Sequence, residues 1–143
     1  MSGMKTSNTQ GRILANSTYL DNKDFVTIDA NGFLARTAAA EKITGIYIGT
    51  SVTATIDNQT VAKVVGYYEP IQEDMEFELT SDQACTDTDV GAYADIKLST
   101  NAFQLDLAAG ASGQMYVIDY DVNATTTVRC KVAEPAGLAF ALA

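Results

Sequence analysis

Two aspartates spaced two apart, Asp87 and Asp89, stand in the stretch CTDTDVG at 85–91. Oxygen ligands alternating along a loop are how proteins hold calcium. A second set, Asp119, Asp121 and Asn123 in DYDVN, repeats that spacing. The first set fails the twelve-residue EF-hand pattern, because the twelfth position is Leu98 where a bidentate Glu is needed. The second set alternates with Tyr120 inside a strand-like run. The expectation is therefore no metal and no cofactor. Asp87 and Asp89 remain the weak candidates, for a structural calcium.

Catalysis has little to build on. The chain has no histidine, which removes the commonest general base, most zinc sites and every Ser-His or Cys-His arrangement. The two cysteines, Cys85 and Cys130, are too far apart for a Cys-x-x-Cys site and read as free, buried thiols. Glu76 and Glu78 are a carboxylate pair, but they alternate with Met75, Phe77 and Leu79 and read as the wet face of one strand. No Gly-rich phosphate loop follows a strand. The chain is not expected to be an enzyme. Three Asn-x-Ser/Thr sequons, at Asn16, Asn58 and Asn123, read as chance in a chain rich in Thr, Asn and Ser.

Charge is unevenly spread. Of 18 acidic residues, nine lie between Glu69 and Asp95, a stretch without Lys or Arg. The other nine acids match the nine bases, so the formal net charge of −9 is that of this one stretch. The bases are scattered, which argues against binding nucleic acid through phosphates. Only Arg129 and Lys131 fall close, two apart on one strand face. No apolar run approaches the ~18 residues that would span a membrane, and the polar start does not read as a secretory leader.

The elements that must position these residues are short strands. DFVTID, FLART, KITGIYIG, MEFELT, AYADIKL, FQLDL, QMYVIDYDV and TTVRCKVAE all alternate, and Asn31-Gly32 marks a hairpin. VTATI and VAKVVGYY add two more around a DNQT turn. About ten strands at spacings of roughly 8–12 residues predict an all-β fold, an antiparallel sandwich or barrel. ARTAAAEKI (35–43) is the one stretch with good helical propensity, enough for a turn or two. Residues 1–18 are expected to be a flexible N-terminal arm, and 19–143 a single β domain. Lys5 and Arg12 in the arm, and Leu138, Phe140 and Leu142 in the apolar end GLAFALA, are the candidate contacts with a partner surface or another subunit.

The order DFVTIDANGFLARTAAAEKITGIYIG, VAKVVGYYEP, MEFELTSDQA, DVGAYADIKL, FQLDL and VRCKVAEPAGLAFAL resembles the capsid decoration (cement) proteins of tailed bacteriophages. The likeness lies in texture across roughly 19–143, without a diagnostic motif, so no family residue carries over individually. It implies a virion protein on the outer capsid surface, assembled in the host cytoplasm. Its partners would be the major capsid protein and copies of itself, as a homotrimer. A β-sandwich binding module for carbohydrate or surface attachment is the alternative, with exposed tyrosines and a calcium at Asp87 and Asp89. Another virion part, such as a head fibre or minor capsid component, is a further one.

Overall fold

A computed structural model describes residues 9–99, 102–108 and 113–133. Among these residues there is no helix; twelve short strands, chiefly antiparallel, make an all-β fold. The chain expected as one domain forms two compact units: residues 9–36 with 44–71, and residues 37–43 with 72–133. The chain passes between them three times, after residues 36, 43 and 71, and no Gly/Ser-rich linker marks a crossing in the sequence.

The first unit holds β1 (Gln10–Ile13), β2 (Tyr19–Leu20), β3 (Phe25–Ile28), β4 (Leu34–Arg36), β5 (Gly45–Ile48), β6 (Val52–Thr53) and β7 (Val65–Pro70). Five strands form one antiparallel sheet in the order β1-β7-β5-β3-β4, and β2 pairs with β6. The sheet curls until its two edges meet. Leu14, just past β1, bridges Leu34 in β4, and the Ala15 amide donates to the Leu34 carbonyl at 2.8 Å. Leu14, Leu20, Val26, Leu34, Tyr47, Ala54 and Tyr68 pack as the core, with Ile28 and Val52 against them.

Residues 10–14 are therefore not part of a flexible arm. QGRI lacks alternation, which is why the sequence hid it. Its order comes from backbone pairing with β7, Gln10 opposite Tyr68 through Ile13 opposite Val65. The stretch that follows is tied down too: the Ser17 amide donates to Thr55 O, and the Ala54 amide to Thr18 O.

Alternation read several of the other strands. Gly45 and Tyr47 share the core face as the KITGIYIG pattern implied, and Gly45 has a specific reason to be there. A Cβ at this position would lie 2.6 Å from the Glu69 carbonyl oxygen and 2.6 Å from the Tyr68 ring. The obstacle on one side is backbone, which has nowhere to go. Gly45→Ala is therefore expected to destabilise the first unit by about 1–3 kcal/mol, the usual cost of overpacking. A urea melt checks this; an unchanged midpoint would show that β5 and β7 can part freely. Asn31-Gly32 does form the β3–β4 hairpin, with Gly32 at φ +90° in its loop, while Asp29 Oδ1 accepts the Asn31 and Phe33 amides.

The second unit holds β8 (Phe77–Ser81), β9 (Tyr93–Ser99), β10 (Ala102–Asp106), β11 (Met115–Asp121) and β12 (Ala124–Val132). They close into a barrel in the order β10-β8-β12-β11-β9, all antiparallel except the β10–β8 pair. Ala94, Ile96, Leu105, Met115, Val117, Val128 and Cys130 are buried. A register shift after Val117 re-aims β11, so that Val117 opposes Cys130 while Asp119 opposes Arg129.

The helical propensity of 35–43 is not realised. Gln114 Nε2 donates to the carbonyls of Ala38 (3.0 Å) and Glu41 (2.6 Å), and Glu41 Oε1 accepts the Ala38 amide. The side chain of a residue more than seventy positions away thus takes the carbonyls a helical turn would use. Propensity is a weak prior where such tertiary partners exist.

Candidate interaction surface

The carboxylates that the sequence singled out are engaged locally. Asp89 Oδ2 accepts the Thr86 amide at 2.9 Å and the Thr86 hydroxyl at 3.2 Å, capping the loop after Cys85. Asp87 Oδ1 accepts the Tyr120 hydroxyl at 2.8 Å, which raises the Tyr120 pKa. Among the described residues no three His, Cys, Asp or Glu side chains come together as a metal-binding group. Both cysteines are free and buried, and burial pushes the Cys130 thiol up to about 12. Cys85 is raised by burial first and by Asp89 second. Asn58, one of the sequons, is fully buried and so no acceptor for a glycan.

Glu76 and Glu78 are exposed on β8 and the turn before it, as the alternation implied, but they do not stand alone. Arg129, directly across from Glu78, donates through its NH1 to Glu76 at 2.7 Å and through Nε to Asp119 at 3.0 Å. The hydrogen bond to Arg129 lowers the Asp119 pKa, and the two carboxylates raise that of Arg129. An arginine clamped between two acids fixes charge and holds no mobile proton, so this cluster does not act as a general acid or base. Lys131, two residues on, lies 5.9 Å from the Tyr116 ring, which Tyr93 meets edge-on at 5.6 Å.

Charge divides by unit. Among the described residues the first unit carries four basic and five acidic side chains, and the second four basic and twelve acidic. Glu69 is the one member of the acidic stretch that lies in the first unit. The charged pair inside that unit is internal: Arg36 meets Asp24 at 2.7 Å and lies over the Tyr19 ring. Desolvation raises the Asp24 pKa against the pull of the Asp21 amide and Arg36.

The near-neutral unit exposes apolar surface instead. Directly paired residues share a sheet face, and side chains alternate along each strand. Ile48 opposes Tyr67, Tyr67 opposes Gly11, and Val65 opposes Ile13. These residues form one strip across β5, β7 and β1 on the face away from the core. Ile48, Val65 and Tyr67 are all exposed, Tyr67 by 53%, and the half-buried Ile13 and Ile46 complete the strip before Glu69 ends the row. Tyr67 is held in place. Its ring lies over Gly11, where an added Cβ would come within 2.7 Å of Cε1. The loop leading into β7 adds Ile56 and Val61, 79% and 69% exposed.

Of the residues expected to make contacts, Arg12 lies in β1, where its NH1 donates to the Gly32 carbonyl at 3.3 Å; its role here is to tie β1 to the β3–β4 hairpin. Lys5, Leu138, Phe140 and Leu142 lie outside the described residues. The sequence reading missed the strip because Val65 and Tyr67 sat in a run read as strand from residue 61, and because β1 had no pattern. The cross-strand partner that turns them into a surface is visible only once the register is known. Comparison with protein-family models, curated proteins and solved structures returned no match in any of the three.

Proposed function

We propose that this chain is a structural virion protein that binds the outer surface of a bacteriophage capsid as an oligomer and stabilises the shell. The observation that carries this reading is the division between an acidic unit and a near-neutral unit with an exposed, ordered apolar strip. A clamp needs broad complementary contacts and no titrating base. Charge sets the rate and register of docking on a basic shell, and apolar area supplies affinity. The short-strand β texture supports the same reading.

The test mixes the purified chain with capsid shells stripped of their decoration. The expected result is saturable co-sedimentation, weakening with salt as exposed charges are screened, together with a higher temperature of shell disruption. Failure to bind at low salt overturns the proposal. Tyr93, exposed and packed edge-on against Tyr116, favours the second reading of a glycan-binding module; selective retention on a glycan array with loss in Tyr93→Ala supports it.

A further inference from the structure

We infer that the strip formed by Ile48, Val65 and Tyr67, with Ile13 and Gly11 beside them, is where one copy of this chain docks on another. The inference rests on the decoration reading only for its biological setting, and it assigns a partner to one of the two surfaces described above. The occupant follows from charge. From Ile13 to Ile48 the strip carries no Asp, Glu, Lys or Arg, and Glu69 stands only at its end, so a strongly charged partner gains nothing there and leaves its own charges desolvated. A second copy brings an identical uncharged strip. It also brings a unit whose described charges nearly balance, four basic against five acidic, so that unit's own charges oppose such a contact little. The acidic unit is left for a basic partner such as a shell surface.

The strip has the anatomy of an interface centre. Aromatic anchors in uncharged surroundings dominate association energies. Tyr67 is such an anchor, already held over Gly11, so little side-chain freedom is lost when it is covered. A sheet face this apolar, left exposed on an isolated monomer, is a liability that a second copy removes.

Light scattering on the eluting protein reads the mass directly. The wild type is expected at a multiple of 15.2 kDa, and to remain so at about 1 M salt, where the Debye length is only ~3 Å. Tyr67→Glu and Ile48→Glu are each expected to reduce the mass to that of one chain, with circular dichroism confirming the fold. Val122→Glu serves as the control, because Val122 is 74% exposed and lies in the other unit; its mass should match the wild type. A monomeric wild type, an oligomer that survives Tyr67→Glu and Ile48→Glu in folded protein, or one that Val122→Glu also splits, overturns the inference. The shell-binding assay separates the two claims. A wild-type monomer that still binds shells sinks this inference and leaves the decoration reading standing. An oligomer split by Tyr67→Glu that ignores shells does the reverse.

Discussion

Leu14→Ala should destabilise the first unit by about 2–5 kcal/mol, the range for emptying a buried leucine site. Leu14 is wholly buried in the core cluster. Its side chain fills the space over Gly66, where an added Cβ would meet Leu14 Cδ2 at 2.8 Å and Leu34 Cδ2 at 3.2 Å. The side chain therefore supports β7 and β4 at once, packing with Leu34 over Gly66, while the Leu14 backbone, kept in the variant, still bridges Leu34 and donates to Val64 O at 2.9 Å. In a flexible arm the same substitution would cost nothing. A larger change follows from deleting residues 1–15. It removes β1 and the bridge that joins the two edges of the sheet, and exposes the β7 edge and the core behind it. The shortened chain is expected to lose the cooperative unfolding transition of the first unit. Urea denaturation followed by circular dichroism checks both variants. A deletion that melts like the intact chain would restore the picture of a dispensable arm.

Periodicity carried far in this sequence because most strands have one wet and one dry face. Val128, Cys130 and Val132 are buried while Arg129 is exposed, as TTVRCKVAE implied, and Met115 with Val117 turn inward as expected. The pattern failed where backbone pairing decides, as in β1, or where a distant side chain intervenes, as with Gln114 at residues 38–41. It failed also in VAKVVGYY. That stretch begins as a turn, with Lys63 at φ +53°, and becomes strand only at Val65. Charge was legible as a local excess, but its meaning was not. The sequence could not show that Arg129 reaches Glu76 across 53 positions. Nor could it show that the acids gather in one unit while apolar residues from three strands line up in the other. Composition counts groups, whereas a surface is defined by register, and register here is set by contacts between segments far apart in the chain.

Asn58 is the residue whose role was least visible and whose loss should be among the most costly. It was noticed only as part of a sequon. In the fold it is fully buried beneath the loop that precedes β7. Its Nδ2 donates to Leu14 O at 2.8 Å and to Val64 O at 3.2 Å, and its Oδ1 accepts the Val64 amide at 3.0 Å. One carboxamide thus satisfies the Leu14 carbonyl and the Val64 amide, and adds a second bond to the Val64 carbonyl, which the Leu14 amide already reaches. Asn58→Ala strands the first two, and each buried orphan costs about 1–3 kcal/mol. Val64 is 39% exposed, so water recovers part of the loss at its amide. With one group fully buried and one partly so, the expected total is about 2 kcal/mol. Asn58→Asp is the sharper test, because it keeps the shape and removes the donor. Its carboxylate would face two carbonyl oxygens, which favours the protonated form and raises its folded-state pKa above the unfolded value of about 3.9. The folded variant then binds more protons than the unfolded one over the interval between those two pKa values. Its stability is greatest below pH ~3.9 and falls as pH rises through that interval, reaching its full deficit above the folded pKa. Relative to the wild type, Asn58→Asp should therefore be least impaired in acid and most impaired at neutral pH, while the deficit of Asn58→Ala stays flat. Urea midpoints of the three proteins from about pH 3 to about pH 8, a range that brackets the unfolded carboxyl pKa, read this directly. A flat Asn58→Asp deficit would mean that the carboxamide donates to neither carbonyl, and that the loop before β7, with its exposed Ile56 and Val61, is held by something else.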